Sequence, residues 1–216
     1  MKSYRYLFFD LDGTLTDSAP GILRSVAYAL SAFGIQVDDL QRLRPFVGPP
    51  LEDSFKDFCH FTEEQAAEAV EIYHRRYYAI GVHENSPYPG VYECLDTLRK
   101  RGYHLVVATS KPEKLARVVL REFKLEDYFE FVGGRDEEGI LHTKADVIRH
   151  AISALEIDDK SSIVMIGDRK HDVLGAAEVG IDSIGVLFGY GDREELSSAG
   201  ATFLVEDYGR LLGMLT

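Results

Sequence analysis

The sequence predicts an α/β fold, a Rossmann-like parallel sheet with helices on both faces, interrupted once by an all-helical segment. Three observations carry this. Short apolar runs that stop abruptly at polar loops recur along most of the chain, and helical patterns separate them. Residues 17–84 alone break the alternation, with helix signals and almost no strand signal. Strands alternating with helices imply a mostly parallel sheet covered on both faces, which binds ligands beyond the carboxyl ends of its strands.

Tyr4 to Phe9 (YRYLFF) reads as a buried strand that ends in the loop DLDGT. Asp17 or Ser18 can cap a helix that runs to Phe33 and stops at Gly34. RPFVGPP (44–50) predicts a rigid loop, Leu51 to Cys59 a short helix, and Thr62 to about Ile80 a longer one. Thr62 and Gln65 fit a capping box at its start. NSPYPG (85–90) is a turn-rich hinge leading back to the alternating part. There, residues 90–101 place Val91, Cys94, Leu95 and Leu98 on one helical face, and 112–122, 143–155 and 170–179 read the same way. Gly102 and Gly180 are stop signals. Tyr103 to Ala108 and Ser162 to Ile166 are strong strands; Asp182 to Leu187 and Thr202 to Val205 are weaker ones. The expected division is a core of residues 1–16 and 85–216 carrying a helical insert of residues 17–84.

A chain of 216 residues can hold such a core and insert. Its 36 acidic and 24 basic residues give a formal charge of -12. That surface repels nucleic acid, and it also repels an anionic substrate, so a phosphate site here needs a local positive device. A metal, a lysine or a helix N-terminus would serve. Cys59 and Cys94 form no CxxC pair and no disulfide framework, so two buried, reduced thiols are expected. The first apolar run is too short for a signal-peptide core or a membrane span. The expectation is a soluble, cytoplasmic protein, monomer or homodimer, with neither nucleic acid nor membrane as partner.

Four features fall at the carboxyl edge of the expected sheet. DLDGT sets two carboxylates, Asp10 and Asp12, two residues apart, so they share a side if the chain stays extended. Like charges that close need a counter-cation; one can attack phosphorus while the other passes a proton to the leaving oxygen. Thr109-Ser110-Lys111-Pro112 offers a hydroxyl and a backbone N–H at a strand-to-helix junction, a cradle for phosphate. Lys144, following Gly139 and Thr143, starts a helix and can neutralise both a phosphate and Asp10. In GDRKHD, Asp168 follows a strand directly and Asp172 lies one helical turn on, oxygen donors of the kind that suit magnesium.

With these motifs in hand, the sequence resembles the haloacid-dehalogenase-like hydrolase superfamily, in its phosphoglycolate-phosphatase-like branch with a helical cap. DxDGT matches at Asp10 to Thr14, the Thr/Ser motif at Thr109, the motif lysine at Lys144 and GDxxxD at Asp168 to Asp172. The resemblance implies Asp10 as nucleophile and Asp12 as general acid, then base. It implies Mg2+ held by the Asp10 carboxylate, the Asp12 backbone carbonyl and Asp168, with Asp172 supporting through water and Thr14 supporting. Thr109, the Ser110 N–H and Lys144 would hold the phosphoryl oxygens of a small phosphate ester, and the insert would act as a lid. The implied substrate is phosphoglycolate-like, a nucleotide or a sugar phosphate. Alternatives within the resemblance are a sugar phosphomutase and a non-catalytic phospho-metabolite sensor. Asp12 argues against dehalogenation, and Pro49, Pro50 and Leu51 after Gly48 argue against a Schiff-base lysine for phosphonate cleavage. Arg44, Phe46, Phe55 and Lys56 are candidates for setting specificity.

Overall fold

The computed structural model describes residues 4–136 and 140–215. Gly139, invoked above as the approach to Lys144, lies outside the described residues. The chain forms two compact units, one of Met1–Asp17 with Pro87–Thr216 and one of Ser18–Ser86.

It opens with β1 (Tyr6–Phe9) and the short β2 (Thr16–Asp17). It then enters three helices, α1 (Ala19–Ala32), α2 (Leu51–Cys59) and α3 (Glu63–Ala79), and returns through the short β3 (Ser86–Pro87). Alternation follows: α4 (Val91–Lys100), β4 (His104–Pro112), α5 (Glu113–Glu122), β5 (Phe131–Arg135), α6 (Lys144–Ala154) and β6 (Ile163–Gly167). The chain finishes with α7 (Lys170–Val179), β7 (Asp182–Val186), α8 (Arg193–Ser198), β8 (Phe203–Val205) and α9 (Tyr208–Met214).

The first unit is built on a six-stranded sheet of order β5-β4-β1-β6-β7-β8, with every described pairing parallel. Successive side chains of a strand point to opposite faces. Phe8, Val106 and Met165 accordingly pack with Val147, Ile148, Ala151, Ala176 and Val179 of α6 and α7 on one face. Leu7 and Phe9, which alternate with Phe8 along β1, are fully buried as well. Burial on both faces is why these strands read as unbroken apolar runs.

Register places the chemistry. Phe9 lies beside Val107 on one side and Ile166 on the other, and the Asp10 N–H donates to the Ile166 carbonyl at 2.9 Å. The residues just past these points therefore converge at one sheet edge: Asp10, then Thr109 and Asp168.

The 18–86 unit has its own aromatic core. Phe46 packs edge-on against Phe55, and Phe55 stacks on Phe61. Phe46 and Phe55 are buried there, so their rings are spent on packing rather than left to read a substrate. Arg44 is exposed, and Lys56 pairs with Asp53 at 3.1 Å.

Local expectations need four corrections. Residues 40–46 wind into a 3-10 helix that runs into the expected rigid loop. Ser18 stands at the N-cap of α1, but its side chain makes no cap bond. The reason is that Pro20 has no N–H to offer and the Gly21 N–H donates to the Glu84 carbonyl, leaving the buried Ser18 Oγ unpartnered. β5 has no counterpart among the expected strands. Cys94 is buried as expected, whereas Cys59 is partly exposed. Among the described residues no helix is long and apolar enough to cross a membrane.

Candidate active site

Three buried carboxylates, Asp10, Asp168 and Asp172, each present an oxygen within 4.8 Å of the others. Asp10 comes from the end of β1, Asp168 from the residue after β6, and Asp172 from the first turn of α7. Asp172 serves two ends. Its Oδ2 accepts from the Arg169 N–H at 3.1 Å and caps α7. Its Oδ1 lies 2.7 Å from Lys144 Nζ, an ion pair made without an aligned hydrogen bond.

Lys144 is the first residue of α6, a position fixed by the reciprocal capping box of Thr143 and Asp146. Its ammonium lies 2.9 Å from Asp10 Oδ1 and donates to the Ala108 carbonyl at 3.0 Å. Only 4% of its side chain is exposed. It reaches the site because α7 carries Gly175 alongside: a Cβ there would stand 2.8 Å from Lys144 Cγ. Gly13 makes the other close approach. Its φ of +84° suits glycine, and a Cβ there would run into the Asp168 carboxylate.

The electrostatics are those of too many buried anions. Burial pushes the Asp10 carboxyl up to about 6; Asp172 adds to this, while Lys144 and the Thr109 hydroxyl oppose it. Burial, Asp172 and Asp10 together hold Asp168 well above the usual carboxylate range. Burial alone would lower the Lys144 ammonium, but Asp10 and Asp172 more than offset that and hold it above its ordinary value. Asp168 has no ion-pair partner among the described residues; it accepts from the Tyr190 N–H at 2.8 Å and, weakly, from Thr14 Oγ1 at 3.4 Å. The Tyr190 hydroxyl in turn donates to Asp17 at 2.9 Å.

Asp12 stands outside the carboxylate cluster. Its two oxygens take the Lys111 ammonium at 3.1 and 2.8 Å. Thr109 Oγ1 accepts from the Lys111 N–H at 3.2 Å, and the Ser110 carbonyl accepts from Arg135 Nε at 2.6 Å. The structure thus brings Asp10, Thr14, Thr109, Lys144, Asp168 and Asp172 into direct or shared contact, with Asp12 alongside through Lys111. Sequence reasoning missed Lys111, Arg135 and the Tyr190 N–H. TSKP offers sequence reasoning a hydroxyl and a backbone N–H, and the buried end of an apolar strand is the available signal for Lys111.

A parallel sheet that gathers buried carboxylates, a buried lysine and a hydroxyl at its carboxyl edge is built for chemistry on an anionic oxygen-rich group. Residues 7–186 match the model of the haloacid dehalogenase-like hydrolase family. A 5'-nucleotidase of Pseudomonas aeruginosa is 41% identical over 212 residues, covering 98% of this chain and 96% of the relative. The tyrosine-protein kinase PtkA of Mycobacterium tuberculosis is 40% identical over 201 residues, 93% of this chain and 68% of that protein. Among solved structures, a predicted phosphatase from Clostridium acetobutylicum superposes with a TM-score of 0.93 at 46% identity, covering 99% of this chain and 98% of that one. The chain belongs to the haloacid dehalogenase-like hydrolase family. It is a phosphatase of that family, an enzyme acting on phosphoric monoesters.

Proposed function

We propose that the protein is a Mg2+-dependent phosphatase that hydrolyses a small phosphate monoester through an aspartyl-phosphate on Asp10. The observation that carries this reading is the Asp10–Asp168–Asp172 cluster. Burial pushes up two of its members, Asp10 and Asp168, and a single ammonium, Lys144, is shared between Asp10 and Asp172. A hard divalent cation with oxygen ligands offsets that excess charge, and the donor set is all oxygen, as magnesium requires.

The Asp10 carboxylate, the Asp12 backbone carbonyl and Asp168 would hold the ion, with Asp172 supporting through water and Thr14 bracing Asp168. Bound there, it supplies charge neutralisation and orientation of the phosphoryl oxygens. Lys144, Thr109 and the Ser110 N–H hold the phosphoryl group in line with Asp10. An Asp10 oxygen attacks phosphorus, the bond to the leaving oxygen breaks, and Asp12 gives that oxygen a proton. Water then attacks phosphorus, Asp12 takes its proton, and the bond to Asp10 breaks to release phosphate.

Among monoesters, nucleoside 5'-monophosphates come first, on the 41% likeness to a 5'-nucleotidase along nearly the whole chain. Phosphate release from 5'-nucleotides, phosphoglycolate, sugar phosphates and p-nitrophenyl phosphate, with Mg2+ and with excess chelator, tests the reading. Activity lost in chelator and in a folded Asp10→Asn variant is expected. Full turnover in either condition would overturn it.

A further inference from the structure

The two buried lysines of this edge divide Asp10, Asp12 and Asp172 between them, and among the described residues Asp168 pairs with neither. Lys144 takes Asp10 and Asp172, at 2.9 and 2.7 Å. Lys111 takes both oxygens of Asp12. Each has 4% of its side chain exposed. Removing an ammonium from water is costly and packing alone does not ask for it. We infer that Lys111 is a positioning residue: it fixes the plane of the Asp12 carboxyl group over the oxygen of the departing group. The inference rests on the function proposed above and adds a residue to its leaving-group side.

The geometry supports it at three levels. A carboxyl group with 21% exposure can turn about its terminal torsion. One ammonium on both oxygens removes that freedom. When Asp12 carries a proton on one oxygen, the other still accepts from Nζ, so the orientation survives the proton's arrival and departure. The backbone behind Lys111 is also held. Its N–H donates to Thr109 Oγ1, and the preceding carbonyl accepts from Arg135 at the end of β5. Here the β4–β5 register shifts between Ala108 and Pro112. β5 passes so close that a Cβ on Gly134 would stand 2.7 Å from the Glu113 backbone. The strand end carrying Lys111 is therefore a fixed platform.

A role in delivering the leaving-group proton has a signature that mere packing lacks. kcat/KM reports only steps through loss of the leaving group, so the later hydrolysis of the aspartyl-phosphate does not enter it. p-Nitrophenolate departs without a proton; an alkoxide does not. Lys111→Met is expected to lower kcat/KM on an alkyl phosphate such as AMP on the order of a hundredfold, and on p-nitrophenyl phosphate within about threefold. Lys111→Gln keeps a donor to Asp12 at little structural cost and should fall between, and Lys111→Arg should retain most of the alkyl activity. Equal losses on both esters, in Lys111→Met or in Lys111→Gln, would overturn the inference. A wild-type protein that hydrolyses neither ester in Mg2+ would instead overturn the function on which it rests.

Discussion

Replacing Lys144 by Met removes the cation that two of the three buried carboxylates share. At an effective dielectric of about 20, each contact of nearly 3 Å is worth roughly 6 kcal/mol of gross attraction. Desolvation of the ammonium and the carboxylates takes back most of it, and breaking a buried pair from one side leaves a net loss of about 3–5 kcal/mol. The loss should depend on pH, with a definite sign. Asp10 is already raised in the folded protein, to about 6. A raised acid favours the fold below its unfolded value and loses that advantage as pH climbs through the folded value. Without Lys144 the carboxyl rises further, so the added penalty appears at high pH and fades where Asp10 holds a proton. Urea unfolding followed by circular dichroism, in chelator throughout, should show the variant less stable by about 3–5 kcal/mol at pH 8 and by a smaller margin at pH 5, where the contact with Asp10 no longer counts. A loss below about 1 kcal/mol at pH 8, or the same loss at both pH values, would refute the electrostatic reading of this cluster.

Three further outcomes follow from packing and charge. Gly175→Ala gains helix propensity of up to about 1 kcal/mol but drives a methyl into the Lys144 stem; kcat should fall roughly tenfold or more, and unchanged kcat would show that Lys144 has other room. Glu84 accepts from Arg76 at 2.9 and 3.2 Å and from Arg24 at 3.0 Å, and Arg76 foremost holds its carboxyl below the usual range. Glu84→Gln should therefore cost about 1–2 kcal/mol at neutral pH, a difference that closes as pH falls through the glutamate's lowered value; a stability gap that persists in acid would contradict the pairing. Burial pushes the Cys94 thiol up to about 12 and raises the partly exposed Cys59 as well, so a thiol reagent at pH 8 should label Cys59 faster than Cys94, which reacts only on unfolding; equal rates for the two thiols would contradict the packing of α4.

Much of this was legible because buried parallel strands announce themselves as apolar runs and their polar successors mark the edge that holds the candidate site. YRYLFF followed by DLDGT located both β1 and Asp10, and SIVMI followed by GDRKHD located β6 and Asp168. Parallel register then turned sequence positions into neighbours. What stayed hidden has physical causes. β5 is FVGGR, and its two glycines weaken a strand signal while permitting the close passage at Lys111. The Tyr190 N–H that serves Asp168 is a backbone donor, which no side-chain pattern encodes. The Ser18 cap fails because Pro20 has no N–H and the Gly21 N–H is taken by the Glu84 carbonyl, which leaves the cap oxygen no donor. Lys111 carries the same letter as any surface lysine, and only the strand's burial through residue 111 distinguishes it.

The central claim is that phosphate passes through Asp10. Protein mixed with Mg2+ and a reactive ester, quenched in acid and reduced with borohydride, converts an acyl phosphate to the alcohol. Peptide mass spectrometry should then find homoserine at position 10, dependent on both ester and metal and absent from Asp10→Asn. Homoserine at another position, or none while phosphate is being released at the full rate, would contradict the covalent mechanism.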